Sequence, residues 1–169
     1  MRVLGIDPAL RNTGFGVIDT ALAAPGSGRV GGLVAYGVIR TGTETLPSEA
    51  LGKIAAEVRG LIALHRPDAA AVEGIIYVQS HRTAITMGAA RAAALVALAE
   101  AGIPVYEYAP MRAKAAATGS GGAKKAQVGF MMRALLGLAE NPPADASDAL
   151  SIALAHAQAK PGLTQGKRI

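Results

Sequence analysis

Three short apolar runs lie within the first forty residues, and they constrain the fold more than any other feature of the chain. The runs cover residues 2–7, 13–19 and 33–40, and turns containing Gly and Pro join them. Apolar runs of this length, bounded by turn residues, are typical of β-strands, and three in succession predict a β-meander. The chain therefore begins with a sheet, and the segments that follow must pack against it.

Helical spacing replaces the strand pattern after residue 47. Apolar residues recur with a helical period from Leu51 to Leu64, and Ser48 is the expected N-cap. Further strands are predicted at residues 69–73 and 104–108, with an Ala-rich helix at 83–100 between them, and two more helices complete the chain. Strands that alternate with helices predict a single α/β domain with a helix-covered mixed sheet.

The length and composition limit the domain organisation and the compartment. A chain of 169 residues is the size of one domain, which we expect at residues 1–160, followed by a flexible basic tail at 161–169. The absence of Cys excludes disulfides and thiolate zinc sites and favours the reducing cytoplasm. No secretory signal precedes Asp7, and residues 83–99 predict a buried helix rather than a membrane span, because Arg91 interrupts them.

Positive charge is concentrated in residues 108–139. The chain has a formal net charge of +5, and this segment contains no acidic residue but five basic ones: Arg112, Lys114, Lys124, Lys125 and Arg133. A Gly-rich turn at 118–122 lies in the same segment, and its backbone N–H groups could approach phosphates closely. The segment therefore suits an anionic partner, although an ordinary loop with solvated lysines explains the same pattern.

Four carboxylates are the candidate catalytic and metal-binding groups. Asp7 and Glu73 each end an apolar run, where a charge is unfavourable unless it has a partner or a function. Asp145 and Asp148 are three residues apart, which places them on one face of the last helix. Structural alternatives are a turn at Asp7, an Arg partner for Glu73 and a helix cap at Asp145.

If the four carboxylates converge, their oxygen atoms favour Mg²⁺ or Mn²⁺. Two such ions about 4 Å apart can bind both the attacking and the leaving oxygen of a phosphoryl transfer. The four carboxylates therefore predict metal-dependent phosphoryl transfer.

The N-terminal motif, together with the later acids, resembles the RuvC Holliday-junction resolvases over almost the whole chain. The residues that carry the resemblance are Gly5, Ile6, Asp7, Pro8, Thr13, Gly14, Gly16, Glu73 and residues 145–149. The resemblance implies an RNase H-like fold with a five-stranded mixed sheet flanked by helices. It also implies that Asp7, Glu73, Asp145 and Asp148 bind the metal ions, and that a homodimer nicks two opposing strands of an open four-way junction symmetrically.

The same resemblance suggests the DNA contacts and the protein partners. Lys114 and Lys125, or the adjacent Lys124, match basic positions near the scissile phosphate, and the helix at 83–100 matches the one that forms the dimer interface. RuvA and RuvB, the branch-migration complex, are the implied partners. The complete set of expected DNA contacts is Lys114, Lys124, Lys125, Arg112, Tyr77, Ile76 and Arg82.

One position departs from several relatives of that family. Ile76 stands where they carry an aromatic residue, and Tyr77 follows it. Either side chain is expected to wedge against an unstacked base, unless both belong to the core. The three histidines, His65, His81 and His156, form no ligand cluster by spacing and are expected to be structural.

Other classes of protein explain part of the pattern. A related nuclease could use the same acids on RNA or other branched DNA. An actin-like ATP-dependent kinase would explain Asp7, Thr13 and Gly14, but it needs two lobes and a longer chain. A junction-binding protein without catalysis would use the basic segment alone, yet it would gain nothing from four acids beside phosphate.

Overall fold

The computed structural model describes residues 1–23, 31–75, 80–160, 162 and 164–169. The strands are β1 (Arg2–Asp7), β2 (Asn12–Asp19), β3 (Gly32–Arg40), β4 (Ala69–Glu73), β5 (Val105–Tyr108) and β6 (Lys167–Arg168). The α-helices are α1 (Pro47–His65), α2 (His81–Glu100), α3 (Pro110–Thr118), α4 (Lys125–Leu136) and α5 (Ala144–Ala157), and a short 3-10 helix covers Thr20–Leu22. The elements up to β5 follow the predicted order, but the prediction of two helices after β5 was wrong by one, because Gly119, in a left-handed conformation, ends α3 before α4 begins.

The strands form one mixed sheet in the order β3-β2-β1-β4-β5-β6. The first three strands pair antiparallel, β4 and β5 continue the sheet in parallel, and β6 pairs antiparallel with β5. The prediction of five strands was wrong by one, because Lys167 and Arg168 add a two-residue strand opposite Glu107 and Tyr106. So short and polar a segment has no apolar run that would mark it in the sequence.

Helices cover both faces of the sheet. Alternate residues of a strand point to opposite faces, so Val3 packs in one core cluster and Leu4 in the other. The first cluster contains side chains of α3, α4 and α5, and the second contains side chains of α1 and α2. Asp7 has the parity of Val3, and Glu73 has that of Ala71, so both acids belong to the face that α5 covers.

Glycines allow α5 to lie directly on the sheet. A Cβ atom on Gly5 would lie 2.1 Å from the carbonyl oxygen of Ala149, and one on Gly14 would lie 2.0 Å from that of Asp145. A Cβ atom on Gly16 would lie 2.6 Å from the side chain of Leu150. Side chains at these positions would therefore keep the helix away from the strands, and the acids of α5 would move with it.

The helix starts differ from prediction in one detail. Ser48 was predicted to cap α1, but the N-cap is Leu46 and the helix begins with Pro47. Proline is favoured at the first helical position because its fixed φ suits the helix and its missing N–H loses no bond there. The side chain of Glu49 completes the start by accepting a 3.3 Å hydrogen bond from the backbone N–H of Leu46.

Helix α2 is buried along one face only. Ala90, Ala94, Ala97 and Leu98 are buried, whereas Ile85 is 73% exposed and Val96 is 51% exposed. The prediction of a buried helix was therefore wrong for the second face. By length and composition α2 is the one helix in the described ranges that could cross a membrane, and 22% of its most apolar stretch is buried.

Candidate active site

Neighbouring strands bring Asp7 and Glu73 to the same edge of the sheet. Asp7 is the last residue of β1 and pairs with Gly14 of β2, while Glu73 is the last residue of β4 and pairs with Tyr108 of β5. Parallel strands β1 and β4 lie side by side, so their carboxyl ends coincide. The two carboxyl groups are close enough for a hydrogen bond between them.

Thr13 fixes the loop that follows Asp7. Its buried hydroxyl donates a 2.7 Å hydrogen bond to the carbonyl of Ala9 and accepts a 3.3 Å bond from the N–H of the same residue. The chain after Asp7 is thus closed locally by Thr13 rather than by the aspartate. The turn-forming role considered for Asp7 is performed by another side chain.

Helix α5 supplies the other two acids. It begins after Pro143, and the hydroxyl of Ser147 secures this start by donating to the carbonyls of Pro142 and Pro143. Asp145 lies in the first turn, and in the described structure no side chain caps this helix. The capping alternative for Asp145 was therefore wrong, and its carboxylate remains available to the site.

All four carboxylates line one cavity of about 340 Å³. Lys114 and Lys125 line the same cavity, together with Pro8, Ala9, Met87, Pro110, Ala113 and Ser151. The two lysines come from α3 and α4, which flank α5. The structure thus brings together the predicted acids and two of the predicted phosphate-binding lysines, with both signs of charge at one opening.

The electrostatics of this cavity are those of crowded acids. Burial raises the pKa of Asp7 from 3.8 to about 8, and the negative charges of Glu73 and Asp148 add to the rise. Burial, followed by the charge of Asp148, also raises the pKa of Glu73. A cation placed among these groups would remove both the repulsion and part of the desolvation penalty.

Lys125 already neutralises part of the cluster. Its Nζ lies 2.9 Å from Oδ2 of Asp148, and this hydrogen bond is the main reason that the pKa of Lys125 is raised. The lysine side chain is 65% exposed, so its amine can exchange Asp148 for another anion at little cost. Lys114 and Lys125 stand where a phosphate facing the acids would need positive charge.

The donor atoms suit a hard divalent cation. Carboxylate oxygens are the ligands that Mg²⁺ and Mn²⁺ prefer. As the side chains stand, no three His, Asp or Glu residues of the described chain are grouped tightly enough to hold an ion. A cation would therefore have to draw the acids inward, and Lys125 would release Asp148.

The other predicted DNA contacts that the structure describes do not line this cavity. Lys124 is exposed at the start of α4, beside Lys125. The Arg112 guanidinium donates to the carbonyl of Thr164 and lies 5.9 Å from the ring centre of Tyr108, so it faces the C-terminal segment. Arg82 is exposed in the first turn of α2. Ile76 and Tyr77 lie outside the described residues.

An Arg–Glu pair beside Glu73 was not anticipated from the sequence. Arg91 Nε donates a 3.3 Å hydrogen bond to the backbone carbonyl of Glu73, and Arg91 also forms an ion pair with Glu107. An Arg partner had been considered for Glu73, but the arginine binds its carbonyl rather than its carboxylate. The Glu73 carboxylate is thereby left to the cavity.

The histidines are not among the residues that line this cavity. His156 is buried, with Nδ1 2.9 Å from the hydroxyl of Tyr108 and its ring 4.5 Å from that of Tyr106. The carbonyl of His65 accepts a hydrogen bond from Arg2, and His81 begins α2. These positions agree with structural roles.

A mixed sheet with helices on both faces and acids at the ends of β1 and β4 is the architecture of an RNase H-like domain, and comparison with known proteins agrees. The family model described as crossover junction endodeoxyribonuclease RuvC matches residues 3–156. This chain belongs to the RuvC family. Membership of this family rules out the actin-like kinase that was considered from the sequence.

Individual relatives match over nearly their full length. The chain is 48% identical to a crossover junction endodeoxyribonuclease RuvC of Akkermansia muciniphila, with 92% of this chain and 90% of the relative covered. A relative from Halorhodospira halophila is 47% identical, with 92% and 89% covered. The structure of Thermus thermophilus RuvC in complex with a Holliday junction substrate superposes with a TM-score of 0.88 at 38% identity, covering 100% of this chain and 99% of that one.

Proposed function

We propose that this protein is a structure-selective endodeoxyribonuclease that resolves four-way Holliday junctions in DNA recombination and repair. It would make paired, symmetric nicks on opposing strands and leave 5′-phosphate ends. The observation that carries the proposal is the cavity in which four carboxylates and two lysines meet, in a chain of the RuvC family. The Thermus thermophilus relative that binds a Holliday junction substrate supports the choice of DNA.

The four acids would together hold two Mg²⁺ or Mn²⁺ ions once drawn inward. Asp7, Glu73, Asp145 and Asp148 offer only oxygen donors, and burial, with neighbouring negative charges, raises the pKa values of Asp7 and Glu73, which a bound cation would offset. When bound, such ions lower the pKa of a water nucleophile and stabilise the departing 3′ oxygen. Asp7 is close to both Glu73 and Asp148, so it would hold metal together with either of them.

The lysines position the scissile phosphate. Lys125 would exchange its bond to Asp148 for a phosphate oxygen, which couples loading of the acids to capture of DNA. Lys114 faces the same cavity from α3. The exposed side chains of Lys124, Arg112 and Arg82 would contact the backbone of the arms, where each such contact adds affinity without sequence preference. Ile76 or Tyr77 is proposed to wedge at the junction.

Symmetric nicking requires two equivalent sites, which a twofold homodimer supplies. The exposed apolar face of α2, with Ile85 and Val96, is the surface we assign to the partner copy. Small residues dominate this helix, so two copies of it can pack closely. By family resemblance, RuvA and RuvB are the proposed protein partners, and the cytoplasm is the proposed compartment.

The proposal is tested by cutting a mobile four-way junction and a linear duplex of the same sequence, each with Mg²⁺ or Mn²⁺. We expect paired nicks on the junction alone by the wild-type protein and none by Asp7→Asn. The variant should bind the junction as tightly as wild type or more tightly, because less negative charge faces the phosphates. Ligation of the nicked products tests for the 5′-phosphate.

Glu57→Gln is the matched control, because it also removes one negative charge but from the exposed face of α1. It should cut as wild type does. Equal cutting by Asp7→Asn and wild type, or cutting of the linear duplex alone, contradicts the proposed function.

A further inference from the structure

The end of β4 is held differently from the end of β1. The pairing of β1 with β4 ends at Ile6 and Val72, so Glu73 extends one residue beyond it. On the other side, Glu73 pairs with Tyr108, and the N–H of Gly74 donates a 2.9 Å hydrogen bond to the Tyr108 carbonyl. The backbone that carries the Glu73 carboxylate is thus supported by the sheet from one side.

Arg91 supports it from α2. The Arg91 side chain is 17% exposed, and its guanidinium contacts two strands, donating to the carbonyl of Glu73 at the end of β4 and to the carboxylate of Glu107 on β5. The Glu107 side chain lies across Gly74, where an added Cβ would be 3.0 Å from its Cγ. We name Arg91, Glu107 and Gly74 together the β4 clasp.

The ion pair with Glu107 fixes the position of the guanidinium. A partly buried guanidinium is stabilised by a carboxylate, and Glu107 supplies one from the neighbouring strand β5. With one nitrogen bound to Glu107, Arg91 presents its Nε to the Glu73 carbonyl. The Glu73 carboxylate lines the cavity with Asp7.

We propose that Arg91 is a positioning residue of the active site, which acts through Glu73, and that Glu107 is the counter-ion that keeps it in this role. The inference rests on the proposed function, since it concerns the acid that would hold the metal. It also links α2, the proposed dimer helix, to the site, because Arg91 projects from that helix to the end of β4.

The experiment compares Arg91→Gln, Arg91→Lys, Glu107→Gln and the double variant in two assays. The first is Mn²⁺ binding to the protein without DNA, followed by calorimetry. The second is the single-turnover rate of junction nicking, with the Kd for the junction measured in Ca²⁺. Substitution of a residue that orients a metal ligand typically lowers metal affinity or activity 10–100-fold. For Arg91→Gln we therefore expect about a tenfold loss in both Mn²⁺ affinity and nicking rate. The junction Kd should stay close to that of wild type.

Arg91→Lys should recover little, because one amine cannot bind the Glu73 carbonyl and Glu107 with the fork geometry of a guanidinium. Glu107→Gln should also weaken Mn²⁺ binding, because the guanidinium then loses the charged partner that holds it at the Glu73 carbonyl. The double variant should lose less than the product of the two single losses, since both act on the same acid.

Arg59→Gln is the matched control, because Arg59 also forms an ion pair with a glutamate of α2, Glu100, but on the exposed surface. Mn²⁺ affinity and nicking rate of Arg91→Gln equal to those of Arg59→Gln would overturn the inference, as would losses that follow only the unfolded fraction. If the wild-type protein itself neither bound Mn²⁺ nor nicked junctions, the proposed function would fail instead.

Discussion

The two halves of the candidate site are held by different kinds of contact. Asp7, Asp145 and Asp148 are placed by backbone packing, because α5 lies on β1 and β2 over glycines. Glu73 pairs with β5 but extends beyond the pairing with β1, and the side chain of Arg91, bound to Glu107, holds its carbonyl. Backbone packing cannot adjust without moving the helix, whereas side chains can change rotamer. Moving Asp7, Asp145 or Asp148 should therefore disturb the fold, whereas Glu73 should be able to shift without unfolding the sheet.

The glycines show the difference most directly. A Cβ atom on Gly14 would lie 2.0 Å from the backbone oxygen of Asp145, whereas one on Gly74 would lie 3.0 Å from a carbon of the Glu107 side chain. The same substitution, Gly to Ala, therefore meets an immovable neighbour in one half and a movable neighbour in the other. Three substitutions test the comparison, in order of decreasing effect.

Gly14→Ala should have the largest effect. The overlap can be relieved only by moving α5 from the sheet, which carries Asp145 away from Asp7 and opens the core. Overpacking of this kind typically destabilises by about 1–3 kcal/mol and occasionally more, and we expect the upper end with loss of junction nicking. Urea unfolding and the nicking assay check this.

The control for that substitution is Gly52→Ala in α1, because a Cβ there meets no atom of the described chain within 4 Å. It should raise the free energy of unfolding by about 0.4–1 kcal/mol, since alanine restricts the unfolded chain. Equal unfolding midpoints for Gly14→Ala and wild type would show that α5 is not held in the way described.

Gly74→Ala should have an intermediate effect that is confined to the site. The new methyl group pushes the Glu107 side chain and loosens its ion pair with Arg91, but the sheet pairing remains. We expect a change in unfolding free energy below about 1 kcal/mol, as for a partly exposed ion pair. The single-turnover nicking rate should fall several-fold.

A fall in stability as large as that of Gly14→Ala would contradict the comparison, because it would mean that the end of β4 is as rigid as the end of β1. An unchanged nicking rate in a Gly74→Ala protein whose Arg91–Glu107 ion pair is broken would show that the ion pair has no influence on Glu73.

The four acids that line the cavity could be singled out from the sequence because each is marked locally. Asp7 and Glu73 end apolar runs, and Asp145 and Asp148 have helical spacing, so position along the chain was enough to single them out. Whether they meet depends on sheet order and on the approach of α5, which are properties of the whole fold. In retrospect, Gly14 and Gly16 alternate along β2 on the face of Gly5, which indicates a closely packed helix.

Other features could not be predicted because their signal is non-local. The pair of Arg91 and Glu107 joins a helix to a strand, and both residues look like ordinary surface charges in the sequence. Strand β6 has two charged residues and exists through its backbone pairing with β5. Helix α2 is evenly apolar, so its composition did not reveal which face would be exposed.

The smallest expected effect concerns the far end of α5, where His156 is buried between Tyr106 and Tyr108. Burial lowers the pKa of His156 below its ordinary value of 6.5. As the pH falls through 6.5, the unfolded chain therefore binds a proton that the folded protein rejects, and this group removes stability until the lower folded pKa is reached. Above pH 6.5 both states are neutral, so the contribution vanishes.

His156→Gln keeps a polar partner for the Tyr108 hydroxyl and cannot titrate in this range. Its stability should therefore decline less than that of wild type between pH 7.5 and pH 5.5, by urea unfolding, while both proteins nick junctions equally at pH 7.5. Parallel declines would show that His156 is protonated within the fold. A slower nicking rate at pH 7.5 would show instead that the far end of α5 helps to place its two acids, so that the backbone-packed half of the site would extend along the whole helix.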